Sequence, residues 1–370
     1  MAPTGTSSNV GATPIHSGNM ERAEAGAPTD RRDFVDHQAG LTEERAVAML
    51  RALSVGPSFD VSAIQGSGDP QSENIENTTT MKSTSRFREL LQQPGIIVAP
   101  GVHDALTAKL AASVGFEAGY ISGSGVSTAL LGLPDVGLVT LPEITQMTRY
   151  ITESVAMPMI VDADTGHGGV LNVMRCVREL ERAGAAAVQI EDQEFPKRCG
   201  HLDGKTIVPP GDMLGKIRAA IDARIDADFQ IIARTDAKGV EGLGGAIERA
   251  KLYVEAGADI IFPEALQTED EFRTMADAID APLLANMTEF GKTPYYSAEQ
   301  FGEWGYKIVI FPVSALRIAS RSVLDFFAAL RGSGTQQNFV PRMLTRKELY
   351  EIIDYEAFEA RQQQFAPELV

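Results

Sequence analysis

From Pro94 onward the chain repeats one pattern eight times: a short β-branched apolar run, then a longer stretch with helical periodicity. The runs are Gly95–Pro100, Ala118–Gly123, Met157–Asp164, Ala186–Gln193, Phe229–Asp236, Asp259–Ala265, Pro282–Glu289 and Lys307–Ser314. Helical segments between them include Asp104–Val114, Asn172–Ala183, Met213–Ala223, Leu243–Ala256 and Glu269–Ala278. Strands that are apolar almost throughout are buried on both faces, and strand–helix alternation makes them parallel. Eight such units predict an α/β fold, a (β/α)8 TIM barrel. The competing topology is a doubly wound open sheet, but no Gly-x-Gly-x-x-Gly fingerprint follows the first run. Three helices stop at a glycine turn before the next strand, at Gly115, Gly184 and Gly257. Such turns are the usual ends of helices that feed strands.

The rest of the chain narrows the class of partner. Its 370 residues carry 33 basic and 50 acidic groups, a net charge of −17. That surface repels nucleic acid and anionic membrane. No apolar stretch approaches the roughly 20 residues of a membrane helix, and no signal peptide opens the chain. Cys176 and Cys199 are the only cysteines, so neither a disulfide framework nor an all-cysteine zinc site is available. These features lead us to expect a cytoplasmic protein. Residues 1–80 contain no lysine and read as a flexible, mostly disordered acidic tail, with helical periodicity at Leu41–Ser54 behind Thr42. Residues 81–370 read as the barrel with a C-terminal helical extension, and Met81 is a candidate start.

A barrel holds its chemistry where strands end, and polar residues fall there at seven successive strands. They are Ser122-Gly123-Ser124-Gly125, Asp162-Ala163-Asp164, Glu191-Asp192, Arg234-Thr235-Asp236, Glu264, Asn286-Met287-Thr288-Glu289, and Ser314 followed by Arg317. Asp162 and Asp164, two apart on a strand, share a face. With Glu191 they form an all-oxygen set suited to Mg²⁺ or Mn²⁺ rather than zinc. Solvated loop carboxylates are the plainer alternative, and the buried-strand sequence Met159-Ile160-Val161 argues against it. Lys197-Arg198-Cys199-Gly200-His201 follows the fourth strand. Its basic neighbours predict a lowered thiol pKa at Cys199, whereas Cys176, inside a helix, reads as inert. Among the histidines, His16 and His37 fall in the tail. His103 opens a helix and reads as a capping or loop-packing residue, and His167 is an even choice between site and surface. Arg234, Arg317 and Arg346 are candidate carboxylate clamps, since a guanidinium forks onto two oxygens.

From about Phe87 to the C-terminus, these motifs resemble the isocitrate lyase and phosphoenolpyruvate mutase superfamily. Lys197-Arg198-Cys199-Gly200-His201 is close to its lyase signature, and Val161–Gly166 and Ile190–Gln193 fit its metal-site strands. The nearest branch is the methylisocitrate lyases. The resemblance implies a Mg²⁺-dependent carbon–carbon lyase that cleaves 2-methylisocitrate to pyruvate and succinate, in the methylcitrate cycle of propionate catabolism. It further implies a small polycarboxylate substrate and a homotetramer. Under it Asp162 and Asp164 position the metal, with Glu191 acting through water. Cys199 is the proton donor, supported by Lys197, Gly200 and His201. Ser122, Gly123 and Ser124 hold the keto- or hydroxy-acid end, while Arg234, Glu264, Asn286, Thr288, Arg317 and Arg346 line the pocket. Asp135 matches a position near the site. Ser124 departs from the branch's Ser-Gly-Gly-Gly pattern and is shared with dimethylmalate lyase-like and carboxyphosphonoenolpyruvate mutase-like relatives.

Two other functions compete. A phosphonomutase would use the same metal site, but a tricarboxylate needs more cationic clamps, and three arginines favour it. A non-catalytic binder predicts erosion of the carboxylates or the thiol, and both are intact.

Overall fold

The structure, a computed structural model, describes residues 81–366. The expectations for residues 1–80, including the helix at Leu41–Ser54, lie outside the described residues.

The eight expected strands are all present: β1 Ile97–Val102, β2 Gly119–Ile121, β3 Met159–Asp162, β4 Ala187–Glu191, β5 Gln230–Thr235, β6 Ile260–Pro263, β7 Leu284–Asn286 and β8 Ile308–Phe311. All pair in parallel, in the order β6-β5-β4-β3-β2-β1-β8-β7. A parallel bridge between Ile261 and Leu283 joins β6 to β7 and completes the barrel. The helices between them follow the periodicity. They are α1 Ser83–Gln92, α2 Ala105–Ser113, α3 Gly123–Val126, α4 Leu141–Ser154, α5 Val170–Arg182, α6 Pro210–Ala223, α7 Lys238–Glu255, α8 Glu269–Ala278 and α9 Ala298–Glu303. After β8 come α10 Ser314–Ser333, α11 Arg346–Ile352 and α12 Tyr355–Phe365, none of which has a buried residue.

Strand alternation divides the core in two. Ile97, Ala99, Tyr120, Ile160, Ala187, Ile232, Ile260, Phe262, Leu284, Ile308 and Ile310 fill the barrel, and Phe87 and Leu90 of α1 close its N-terminal end. Their neighbours, such as Val161, Val188, Ile231 and Ile261, face outward onto the helices. Burying a side chain like Phe87 contributes about 1.5–3 kcal/mol. The same parity places the site. Ser122 follows Tyr120 by two, Asp162 follows Ile160, Arg234 follows Ile232, Glu264 follows Phe262 and Asn286 follows Leu284. Each stands on the inward face, directly above the apolar plug.

Candidate active site

The C-terminal mouth holds a cavity of about 80 Å³. Its walls include Ser122, Ser124, Asp162, Cys199, Gly200, His201, Arg234, Glu264, Asn286, Thr288 and Arg317, all expected from sequence. Ligand pockets usually offer about 300–1,000 Å³, so the mouth is narrow as it stands, with Cys199, Gly200 and His201 of one loop among its walls.

The carboxylates are held close by backbone. Ser122 caps α3, its Oγ accepting from the Gly125 N–H at 3.1 Å. The turn brings the Gly123 N–H to Asp162 Oδ2 at 3.2 Å. A Cβ at Gly123 would lie 3.0 Å from that oxygen, so glycine lets the main chain approach the acids. The chain then bends at Asp164, whose φ is +49°, and the Asp164 N–H donates to Asp162 Oδ1 at 3.1 Å. Glu191 lies alongside, only 1% exposed.

Charge in this cluster is unbalanced. Asp135, Asp162, Asp164, Glu191, Asp236 and Glu264 surround Lys197, Lys205 and Arg234. Burial pushes Asp164 up to about 6, with Lys197 opposing and Asp162 and Asp135 adding to the rise. Burial likewise drives Glu191 well up, against Arg234 and Lys197. Glu191 Oε1 is buried without a hydrogen-bond partner, while Glu191 Oε2 and Asp164 Oδ1 face the Arg234 and Lys197 cations at 3.2 and 2.7 Å. Clustered carboxylate oxygens fit a hard divalent cation. Among the described residues no three His, Cys, Asp or Glu side chains converge closely enough to hold a metal ion between them, so a cation here would take part of its shell from water or substrate.

Two sequence expectations are corrected here. Lys197 does not lower the Cys199 thiol. Its ammonium turns inward to Asp135 and lies 2.7 Å from Asp164 Oδ1. Cys199 itself is exposed at the cavity, yet desolvation by surrounding protein and the charge of Glu264 raise its pKa. The His201 backbone and Arg234 pull the other way without prevailing. The thiol's pKa therefore lies above its ordinary value, not below it. The second correction is Arg346. It sits exposed on α11, against a hollow lined by α11 and α12 residues, and does not reach the cavity within this chain.

The other arginines divide. Arg234 lies 3.2 Å from Glu191, 3.0 Å from Asp236 and 3.9 Å from Glu264, with its guanidinium 5.2 Å from the Phe262 ring centre. Its buried charge is compensated by the protein's own carboxylates. Arg317 stands exposed at the rim and donates to the Glu289 carbonyl at 2.9 Å. The count of three free clamps that favoured a tricarboxylate thus shrinks, because strand-end position does not reveal which anions an arginine already holds.

His201 Nε2 lies 2.9 Å from Glu264 Oε1, and Asn286 Nδ2 lies 3.3 Å from both Glu264 oxygens. Burial raises Glu264, but Arg234, His201 and Lys205 outweigh it and hold the carboxyl far below its usual range. His167 faces a neighbouring hollow with Lys216 and Phe195, and burial lowers its pKa. At α2 the cap is Asp104, not His103; its Oδ1 accepts from the Thr107 N–H at 2.7 Å. Tyr120, Lys205 and Lys292 were missed. Tyr120 lines the cavity and shares the parity of Ser122, which would have revealed it. The two lysines carry no local signal.

A closed parallel barrel whose mouth gathers buried carboxylates and a loop thiol defines an enzyme acting on a small molecule. The family profile of phosphoenolpyruvate phosphomutase matches residues 87–331. A 2-methylisocitrate lyase of Aeropyrum pernix is 55% identical over 74% of this chain and 88% of that protein. A crystal structure of 2,3-dimethylmalate lyase superposes with a TM-score of 0.74 at 35% identity, over 78% of this chain and 97% of that one. Phosphonopyruvate hydrolase in complex with oxalate and Mg²⁺ gives a TM-score of 0.71 at 30% identity, over 78% and 100% of the two chains. The chain belongs to the phosphoenolpyruvate mutase and isocitrate lyase superfamily, and it is a carbon–carbon lyase.

Proposed function

We propose that this lyase cleaves 2-methylisocitrate to pyruvate and succinate, serving the methylcitrate cycle of propionate catabolism in the cytoplasm. The carrying observation is that a loop thiol, Cys199, and the carboxylates of Asp162 and Glu264 line one cavity. The identity to a protein named for this reaction supports the substrate.

Asp162 and Asp164, with Glu191 behind them, would hold Mg²⁺, or Mn²⁺ in its place. When bound, the cation polarises the substrate hydroxyl and adjacent carboxylate and offsets charge as the bond breaks. Ser122, Gly123 and Ser124 meet that end of the substrate. His201, Arg234, Asn286, Thr288 and Arg317 orient the other carboxylates, with Glu264 fixing His201 and Asn286. The hydroxyl proton passes to water in the mouth. The oxygen's electron pair becomes the carbonyl bond of pyruvate as the carbon–carbon bond breaks, and the electrons of that bond stay on the second fragment. Cys199 Sγ–H supplies the proton that converts it to succinate, and Lys197 anchors the loop from which the thiol acts.

A second reading is cleavage of 2,3-dimethylmalate, favoured by Ser124 on the cavity wall. Pyruvate release measured in parallel from 2-methylisocitrate, isocitrate and 2,3-dimethylmalate decides between them. The proposal expects the highest kcat/KM for 2-methylisocitrate, and activity confined to another acid overturns it. We further propose a homotetramer. It is supported by α10, which exposes Ile318, Val323, Leu324 and Phe327, and sedimentation analysis tests it.

A further inference from the structure

The Cys199 loop leaves β4 at Asp192 and returns to α6 at Pro210, and its base is a short antiparallel pair. The Glu194 N–H donates to the Thr206 carbonyl at 2.9 Å and the Val208 N–H to that of Asp192 at 2.8 Å. Beyond that base the tip needs its own attachment to the barrel. Lys205 provides one. Its side chain, 2% exposed, runs under the loop and donates to the Gly200 carbonyl at 2.5 Å and to Asp236 Oδ1 at 2.6 Å. Asp236, fully buried, also accepts from Arg234 Nε at 3.0 Å and Nη2 at 3.1 Å. The Gly200 backbone rests directly on the barrel, since a Cβ there would lie 2.6 Å from Glu264 Cγ.

One carboxylate therefore holds both the arginine of the cavity wall and, through an ammonium, the peptide between Cys199 and His201. Lys205 and Asp236 do not line the cavity. We propose that Lys205 is a positioning residue of the lyase reaction: by tying the Gly200 carbonyl to Asp236, it fixes the loop with Cys199 facing the substrate and in register with Arg234. Burying an ammonium is costly without a partner, so the pair is retained here at a place where it sets the aim of the thiol. A misplacement of about 1 Å at the reacting group can cost about 100-fold in rate.

The inference rests on the lyase reading above for its kinetic arm and on loop protection alone for its second arm. The variants are Lys205→Met, Lys205→Met/Asp236→Asn and Lys205→Arg, each compared with the unmodified full chain. Melting temperature, kcat and KM with 2-methylisocitrate, and tryptic cleavage after the exposed Arg198 are measured. Lys205→Met is expected to lower kcat about 100-fold with KM within about threefold. It should also speed cleavage after Arg198 about tenfold by freeing the loop. The double variant also removes the carboxylate charge that Lys205 helps to balance and leaves the amide oxygen at position 236 to accept from Arg234. It should recover melting temperature, while kcat stays low and cleavage stays fast. Lys205→Arg keeps the donor and should restore part of both. Recovery of kcat and protection in the double variant would make the pair a fold element only and overturn the proposal. Unchanged cleavage in every variant overturns it as well. If Lys205→Met does not fold, the double variant and Lys205→Arg carry the test. If 2-methylisocitrate is not turned over, the substrate reading fails, while the cleavage arm still decides the role of Lys205.

Discussion

His201 and Glu264 meet through a single ring nitrogen, Nε2, at 2.9 Å from Oε1, while the Lys292 N–H donates to Nδ1 at 3.0 Å. A nitrogen that accepts from a backbone N–H carries no proton, so Nε2–H donates to Glu264. The imidazole is thereby fixed as a brace between β6 and the loop. A Cβ at Gly291 would lie 2.6 Å from Nδ1, so the segment carrying Lys292 also packs on the ring.

His201→Ala should therefore leave Glu264 Oε1 with only its longer contact to Asn286, at 3.3 Å, at a cost of about 1–3 kcal/mol. His201→Gln can place its amide near the Nε2 position and keep the Glu264 contact. The expected order of both urea midpoint and kcat is unmodified, then Gln, then Ala. Equal loss in the two variants would show that the Glu264 contact does not matter.

The raised thiol gives a pH prediction of definite sign. Alkylation consumes thiolate, so a pKa above the ordinary value of about 8.5 slows it at neutral pH. Iodoacetamide should modify Cys199 at pH 7.5 more slowly than a free cysteine, with the rate still climbing above pH 9. Cys176, pushed up to about 12 by burial, should react only after unfolding. A Cys199 rate that levels off below pH 8 would restore the activated thiol read from its basic neighbours. In the same assay series, Cys199→Ser should abolish turnover with fold and substrate affinity retained, because a hydroxyl is a far weaker acid. Near-normal turnover would remove Cys199 from the donor role.

Metal binding is testable without turnover. A cation at 100 times its Kd stabilises the native state by about 2.7 kcal/mol, roughly 5–10 °C in a domain of this size. Chelator-treated protein should gain such a shift on adding Mg²⁺ or Mn²⁺, and Asp162→Asn should lose most of it. An unchanged melting temperature at millimolar Mg²⁺ would argue that the buried carboxylates of Glu191 and Asp164 serve Lys197 and Arg234 instead of a cation.

The barrel was legible because parallel strands buried on both faces write themselves as apolar runs, and each run here became a strand within two or three residues at either end. The strand-end acids were legible for the same reason: parity from Ile160 or Phe262 dictates where Asp162 or Glu264 must point. What local sequence could not reveal is the direction of long side chains. Lys197 stands two residues from Cys199 but reaches away to Asp164, so the thiol rises where its neighbours suggested a fall. Arg234 is satisfied by carboxylates from three strands, and Lys205 finds Asp236 across 31 positions. Arg346 reads as a clamp by residue type, yet the C-terminal helices place it elsewhere.

The choice between 2-methylisocitrate and isocitrate turns on one methyl group, worth about 1–3 kcal/mol in an apolar niche. Phe262 is fully buried on the cavity wall, with Ile310 and Pro312 lining the same space. Its ring also lies against the Arg234 guanidinium, at 5.2 Å, so its position is coupled to the charged side of the site. The niche is small and already closely packed, and a larger ring would occupy the volume a methyl needs. Phe262→Trp should therefore lower kcat/KM for 2-methylisocitrate more than for isocitrate, narrowing a preference of roughly 10- to 200-fold or reversing it. Overpacking also costs about 1–3 kcal/mol of stability, so both specificity constants are compared in the same folded preparation. Equal specificity constants for the two acids in the unmodified enzyme would defeat the apolar-niche argument, as would a Phe262→Trp variant that slows both substrates by the same factor.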